Sequence, residues 1–116
     1  MQDDDPLKAY LRELANVPPL TKQEEAKLCR QLGDQDEQAE LAARRLVESK
    51  LSFVVTIVER HSSSGIPILD LIQEGNNGLM IALTAFAERP IGDFSVHAAA
   101  CIEDAISKAI AGSETK

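Results

Sequence analysis

The stretch Ile66–Phe86, IPILDLIQEGNNGLMIALTAF, decides the fold of this 116-residue chain. Placed on a helix at about 100° per residue, it separates into an apolar face and a polar face. The apolar face and its flank comprise Ile68, Leu69, Leu71, Ile72, Gly75, Gly78, Leu79, Ala82, Leu83 and Phe86. The polar face comprises Asp70, Glu74, Asn77, Ile81 and Thr84, with Gln73 and Met80 at its border. The pattern predicts an amphipathic helix over residues 66–86.

The centre of this helix contains residues that weaken a helix. Gly75 and Gly78 each cost about 1 kcal/mol relative to Ala in a helix interior, and the two asparagines between them are poor helix formers. One interpretation is that the glycines let a neighbouring backbone approach closely. The other is a partner surface, which Ile81 favours because an apolar side chain in a polar stripe suits a contact better than solvent. That surface would comprise Asp70, Gln73, Glu74, Asn76 and Met80.

The run Leu69–Met80, LDLIQEGNNGLM, resembles the core-polymerase-binding helix of bacterial sigma factors of the sigma-70 family. It departs from the family pattern at Asn77, where Ile is usual. The resemblance implies a helix that docks on the paired clamp helices of the largest subunit of core RNA polymerase. The contact residues that it implies are Leu69, Asp70, Gln73, Glu74, Asn76 and Met80, together with Leu51 and Val54 on the preceding helix.

The composition favours packed helices over a sheet. Hydrophobic residues make up 44% of the chain and aromatic residues only 3%, so the core must be built from Leu, Ile, Val and Ala. No stretch alternates apolar and polar residues for the length of a strand. We therefore expect one compact all-α domain, built on a long antiparallel helix pair and similar to sigma factor region two.

Capping signals and glycines set the expected boundaries of the helices. Asp5 precedes a first helix, and Thr21 with Glu24 forms a capping box before a second. The run over residues 5–32, DPLKAYLRELANVPPLTKQEEAKLCRQL, also resembles the segment that precedes the core-binding region in primary sigma factors. The predicted elements are two short helices within 6–33, a long helix at 34–61 with a break near Ser49 or Lys50 left open, the helix at 66–86, a last helix at 93–111 capped by Asp93 or Ser95, and a frayed tail at 112–116 that begins at Gly112.

In the sigma family the last helix opens promoter DNA, using aromatic rings that stack on flipped bases and basic side chains that hold the backbone. In the matching run, Gly92 and His97 stand where the family has tyrosines, and Ala100 and Cys101 stand where it has a Trp pair. Each missing ring removes about 1–3 kcal/mol of base stacking. The resemblance therefore implies a degenerate melting helix, with promoter opening weakened or lost.

The charge of the chain also argues against DNA binding as its main work. The formal net charge is −7, whereas nucleic-acid-binding modules are usually basic. Glu103 and Asp104 occupy positions that the family usually fills with Arg and Gln. The residual DNA contacts would be Arg60, Phe94 and Lys108, so we expect promoter DNA to bind weakly and only together with polymerase. We also expect no downstream promoter-reading domains.

The remaining residues do not indicate an enzyme, a metal site or a membrane protein. The sequence shows no nucleophile–base–acid set and no phosphate loop, and His61 and His97 have no partner at ligand spacing. We expect no catalytic residue, no metal and no cofactor. Cys29 and Cys101 fit small half-buried thiols, and no apolar run reaches the roughly 18 residues of a membrane helix. A cytoplasmic location is therefore expected, and the acidic N-terminus is not a signal peptide.

Three functions stay open at this point. The first is a sigma-like factor that binds core polymerase without efficient melting, either as a modulator or competitor of complete sigma factors or as an evolutionary remnant. The second is a working sigma factor with weakened DNA contacts. The third is a helical interaction module that keeps the sigma fold with a changed partner, such as a second copy bound through residues 98–101. An anti-sigma protein is a further candidate partner.

Overall fold

The computed structural model describes residues 5–34, 36–90 and 92–114, and within these ranges the chain forms five α-helices and one 3₁₀ turn. The described residues contain no strand, so the predicted all-α class is confirmed. The helices are α1 Pro6–Ala15, α2 Lys22–Gln31, α3 Glu37–Glu59, α4 Ile68–Glu88 and α5 Phe94–Glu114.

Helix α4 lies at the centre of the bundle and packs on both α3 and α5. We expected the α3–α4 pair to form the main contact, but α4 packs more extensively on α5. Helices α1 and α2 pack on α3. The fully buried side chains come from the three long helices, and the largest are Leu46, Val54, Ile57, Val58, Leu71, Leu79, Phe94, Ile102 and Ile106.

The two glycines of α4 explain why α5 packs so closely. A Cβ at Gly78 would lie 2.6 Å from the carbonyl oxygen of Cys101, and a Cβ at Gly75 would lie 2.7 Å from Cγ1 of Val54. Both distances are shorter than side chains tolerate, so only a residue without a Cβ fits at either position. The close approach of a neighbouring backbone is therefore confirmed at Gly78, where the neighbour is the α5 main chain.

The predicted caps are present at the starts of four helices. In each, a side-chain oxygen accepts a hydrogen bond from a backbone N–H in the first turn, which satisfies one of the unpaired donors there. Glu24 also accepts a bond from the Thr21 N–H at 2.9 Å, which completes the capping box and lowers the pKa of Glu24. The capping bonds are 2.8–3.0 Å long: Asp5 from Leu7, Thr21 from Glu24, Asp36 from Gln38 and Asp93 from Ser95.

Several helix boundaries differ from the expectation: α3 spans Glu37–Glu59 and not 34–61, and α4 spans Ile68–Glu88 and not 66–86. Helix α3 is continuous through Ser49, whose hydroxyl donates to the carbonyl oxygen of Leu46 at 2.8 Å inside the helix. Helix α5 continues through Gly112 to Glu114, so the prediction that Gly112 ends it is wrong. Gly112 does not adopt the left-handed conformation that terminates helices, and one interior glycine weakens a helix without stopping it. Residues 115 and 116 of the predicted tail lie outside the described residues.

A partly buried polar network joins α2, α3 and α5. Lys50 Nζ lies 2.7 Å from Glu25 Oε1, and both side chains are 16% exposed. Lys50 also donates to the Ser95 hydroxyl at 2.7 Å, and that hydroxyl donates to Glu25 Oε2 at 3.0 Å. The mutual bonds offset the cost of removing two charges from water. The network therefore attaches α2 to the bundle.

The close contact at Gly78 generates a stability prediction. We expect Gly78→Ala to lower the free energy of unfolding by about 1–2 kcal/mol, because overpacking against the α5 backbone costs more than the helix propensity gained. Urea denaturation followed by circular dichroism measures the change. Gly112→Ala is the matched control, since a Cβ there meets nothing within 4 Å and should be neutral or stabilising. Equal effects at both positions would contradict the close-packing explanation.

The polar network generates a second stability prediction. Lys50→Met leaves the Glu25 carboxylate half-paired, and we expect a loss of about 2 kcal/mol, between the values for surface and fully buried pairs. The double variant Lys50→Met with Glu25→Gln should recover part of the loss, because no unpaired charge then stays behind. Denaturation of both single variants and the double variant gives the coupling. Strictly additive effects would show that the pair contributes nothing.

Candidate functional site

Most of the predicted contact residues of α4 form one exposed surface, which we name the docking ridge: Leu69, Asp70, Gln73, Glu74 and Met80. Leu69 is 39% exposed and Met80 is 47% exposed, although Leu69 was expected on the apolar face. The three polar side chains are also exposed, so none is sealed inside the molecule. The ridge combines apolar area, one amide and two carboxylates on a single rigid helix.

Asn76 lies at the edge of the docking ridge and is half-buried. Its side-chain oxygen is shielded from solvent and has no hydrogen-bond partner among the described residues. An acceptor left unpaired in this way costs about 1–3 kcal/mol, so a donor from a partner would be stabilising. The contact assigned to Asn76 stays a prediction that this geometry permits.

The two contacts assigned to α3 have different outcomes. Leu51 is half-buried and stays a candidate contact residue. Val54 is completely buried, and its Cγ1 fills the space beside Gly75. The prediction that Val54 contacts a partner directly is therefore wrong for this conformation. The side chain shapes the ridge from beneath by packing under α4.

An open polar groove adjoins one side of the docking ridge, with a volume of about 550 Å³. Helix α4 contributes Asp70, Gln73, Glu74 and Asn77, and the C-terminal part of α5 contributes Ala109 and Ser113. The carboxylates make the groove complementary to basic side chains of a partner. A partner that grips the ridge could therefore also reach into this groove.

Helix α5 lacks an exposed ring in its described part. Phe94 is only 2% exposed, and its ring packs edge-to-face on Phe86 with centroids 5.3 Å apart. The prediction that Phe94 contacts DNA is therefore wrong, because a buried ring cannot stack on a base. His97 is half-buried beside Phe86, and its Nε2 lies 4.0 Å from Cys101 Sγ. Apart from the exposed Val96, the outward positions carry mainly small or charged residues, among them Ala100, Asp104 and Lys108.

The two cations predicted as residual DNA contacts are both exposed and both paired with acids of α5. Arg60 Nη1 lies 3.5 Å from Glu103 Oε2, and Lys108 Nζ lies 3.0 Å from Asp104 Oδ2. His61 Nε2 lies 3.0 Å from Glu103 Oε1, a pairing across 42 residues that the local sequence did not reveal. Glu103 and Asp104, which stand where the family usually has Arg and Gln, therefore form ion pairs with the two candidate DNA-binding cations.

A second concavity, of about 900 Å³, lies between α2, α3 and the junction of α4 with α5. Its wall contains the Lys50–Glu25–Ser95 network and Cys29, and the sequence did not predict it because its lining comes from distant segments. Burial raises the pKa of the Cys29 thiol to about 11, and it also raises the pKa of Cys101. Both thiols are half-buried, as expected, and are poor nucleophiles at neutral pH.

Two further searches concern metals and membranes. The described residues contain no group of three or more His, Cys, Asp or Glu side chains that could hold a metal ion. Within the same ranges, none of the helices combines the length and apolar character that crossing a bilayer requires.

Comparisons with known proteins agree with the resemblance read from the sequence. The family model described as Sigma-70 factor, region 1.2, matches residues 5–38, which hold α1, α2 and the start of α3. This match does not include the docking ridge, so it supports the family and leaves the ridge contacts as predictions.

Curated relatives extend the similarity along most of the chain. The RNA polymerase sigma factor SigA of Lactococcus lactis subsp. cremoris is 43% identical over 108 residues, which cover 93% of this chain and 30% of the relative. SigA of a Bacillus species is 41% identical over 108 residues, covering 93% and 28%. SigA of Clostridium acetobutylicum is 40% identical over 108 residues, also covering 93% and 28%.

This chain therefore spans about three tenths of the length of the curated relatives that it matches. The relatives carry the name of a transcription factor and not of an enzyme, in agreement with the absence of a catalytic set in the sequence. On its helical fold and on 40–43% identity along most of its length, the chain is similar to part of the sigma-70 family of bacterial RNA polymerase sigma factors.

Proposed function

We propose that this chain binds core RNA polymerase through the docking ridge of α4 and that its capacity to open promoter DNA is weakened or lost. In this role it modulates or competes with complete sigma factors in the cytoplasm, where it meets polymerase. The observation that carries the proposal is that all five ridge residues, which match the family's core-binding sequence, are exposed to solvent.

The chemistry of the docking ridge suits a protein partner. Leu69 and Met80 offer apolar area, and methionine is enriched at interfaces. Gln73 offers an amide, and Asp70 and Glu74 favour a partner with basic side chains. All of these side chains project from a helix that is packed on both neighbours, so little backbone ordering is required on binding. The clamp helices of the largest polymerase subunit are the partner that the resemblance implies.

The weakness toward DNA follows from the surface of α5. Strand capture needs exposed rings and free positive charge. Here the one phenylalanine of α5 is buried in the core, and both exposed cations are paired with acids. A factor that docks on polymerase and cannot hold the open strand would occupy the position of a complete sigma factor without initiating transcription.

A second function is favoured by exposed apolar side chains outside the docking ridge. Ile81 is 62% exposed on α4 and Val96 is 69% exposed on α5. A chain that kept the sigma fold for a changed partner, such as a second copy, would use one or both of these side chains. Light scattering after size-exclusion chromatography, across a hundredfold range of concentration, separates the two functions because only this one requires self-association.

Retention of core polymerase tests the main proposal. The tagged chain should retain core polymerase of Lactococcus lactis, and Gln73→Ala or Glu74→Arg should weaken retention about tenfold or more, as hot-spot residues do. Glu88→Arg, at the exposed end of the same helix, is the matched control and should bind as the wild type does. Complete SigA should displace the chain. Failure of the unaltered chain to retain polymerase would reject the proposal.

Strand opening tests the second half of the proposal. A complex of the chain with core polymerase should leave promoter thymines unreactive to permanganate and should yield no run-off transcript. The physical reason is that α5 offers no exposed ring for a flipped base. Complete SigA with the same core and promoter is the positive control. A promoter-dependent transcript from the chain would instead support a working sigma factor with weakened contacts.

A further inference from the structure

The carboxylate of Glu103 bridges α5 to the end of α3. Its Oε1 lies 3.0 Å from His61 Nε2, and its Oε2 lies 3.5 Å from Arg60 Nη1. Glu103 is separated from both partners by more than 40 residues, so the contacts depend on the packing of the two helices. One side chain therefore engages both basic groups at this corner of the bundle.

Positive charge is scarce on this side of the molecule. Between Leu51 and Glu88, Arg60 is the one Lys or Arg in the sequence, and Lys108 is the one within α5. Glu103 holds the first, and the next residue, Asp104, holds the second at 3.0 Å. Two consecutive acids thus form ion pairs with the only two Lys or Arg residues of the segments 51–88 and 94–114.

Phosphate binding depends on cations that are free to replace the counterions of the nucleic acid. A carboxylate within 3.5 Å of Arg60 competes for the same guanidinium and also repels a phosphate. Ion pairs this exposed are individually weak, so the pairing reduces the affinity for nucleic acid and does not abolish binding. The reduction should be largest at low ionic strength, where charges are least screened.

We propose that Glu103 is a specificity-determining residue that keeps nucleic acid off the surface between α3 and α5 by occupying Arg60 and His61. This inference rests on the proposed function, in which the chain binds a protein partner and binds DNA only weakly. Glu103 is the group that we hold responsible for part of that weak DNA binding. Missing aromatic rings remove base stacking, whereas the Glu103 carboxylate weakens the attraction between Arg60 and a phosphate.

Binding of a fluorescein-labelled oligothymidylate of about 20 nucleotides, measured by anisotropy at low salt with the full chain, tests the proposal. Glu103→Gln should bind about fivefold more tightly than the wild type, which corresponds to removing one unit charge about 4 Å from the phosphate in water. The affinity should also fall more steeply with salt, because one further cation becomes free to contact a phosphate.

Two control variants test whether the gain in oligonucleotide affinity comes from freeing Arg60 or from the change in net charge. Glu88→Gln removes the same charge from the exposed end of α4, one helix length of about 30 Å from the turn after α3, and should gain little. The double variant Glu103→Gln with Arg60→Gln should lose the gain, because the unmasked guanidinium is then absent. Thermal unfolding checks that all variants fold. Equal gains in Glu88→Gln, a gain that survives without Arg60, or no gain in Glu103→Gln would each overturn the proposal.

The same variants distinguish this inference from the proposed function. Glu103 lies outside the docking ridge, so Glu103→Gln should retain core polymerase as the wild type does. Loss of polymerase binding by the wild type would reject the proposed function and leave the oligonucleotide result standing. Unchanged oligonucleotide binding with normal polymerase retention would reject only the role of Glu103.

Discussion

The close contact between α4 and α5 is the constraint on which the rest of the structure depends. At Gly78 the main chain of α5 comes so near that a single methyl group would collide with the carbonyl oxygen of Cys101. Gly75 and Gly78 lower the helix propensity of α4, but they allow its neighbours to pack closely against it. Because α4 is held this firmly on one side by α5 and on another by α3, its outward face is fixed in position and is left free for a partner.

The same packing divides the side chains between structural and recognition roles. Val54 and Phe94, which the family pattern suggests as contact residues, are both in the core and support the surface from below. Leu69 and Met80 project outward beside three polar groups and can form the apolar part of an interface. A family motif alone therefore does not tell which of its side chains are exposed, since burial depends on how the neighbouring helices pack.

Acidic side chains form ion pairs with cations of the bundle. Lys50 forms an ion pair with Glu25, Arg60 with Glu103 and Lys108 with Asp104, so three acids pair with three cations on the bundle. Together with the buried ring of Phe94, this leaves the α5 surface without the features that single strands require. The docking ridge carries two carboxylates of its own and is unaffected by this change. This distribution of charge is consistent with the proposed function, in which the chain binds polymerase and its promoter opening is weakened or lost.

Local sequence determined the helical class, the helix caps and the amphipathic pattern of α4, because these depend on residues within about one helical turn of each other. It also located the docking ridge through the run from Leu69 to Met80. Tertiary structure decided the rest. It placed Val54 under Gly75, turned the ring of Phe94 inward, continued α5 through Gly112 and brought Glu103 to Arg60 and His61. The contacts of Val54 and Glu103 join residues more than twenty positions apart, and the packing of α3, α4 and α5 against one another brings such residues within reach.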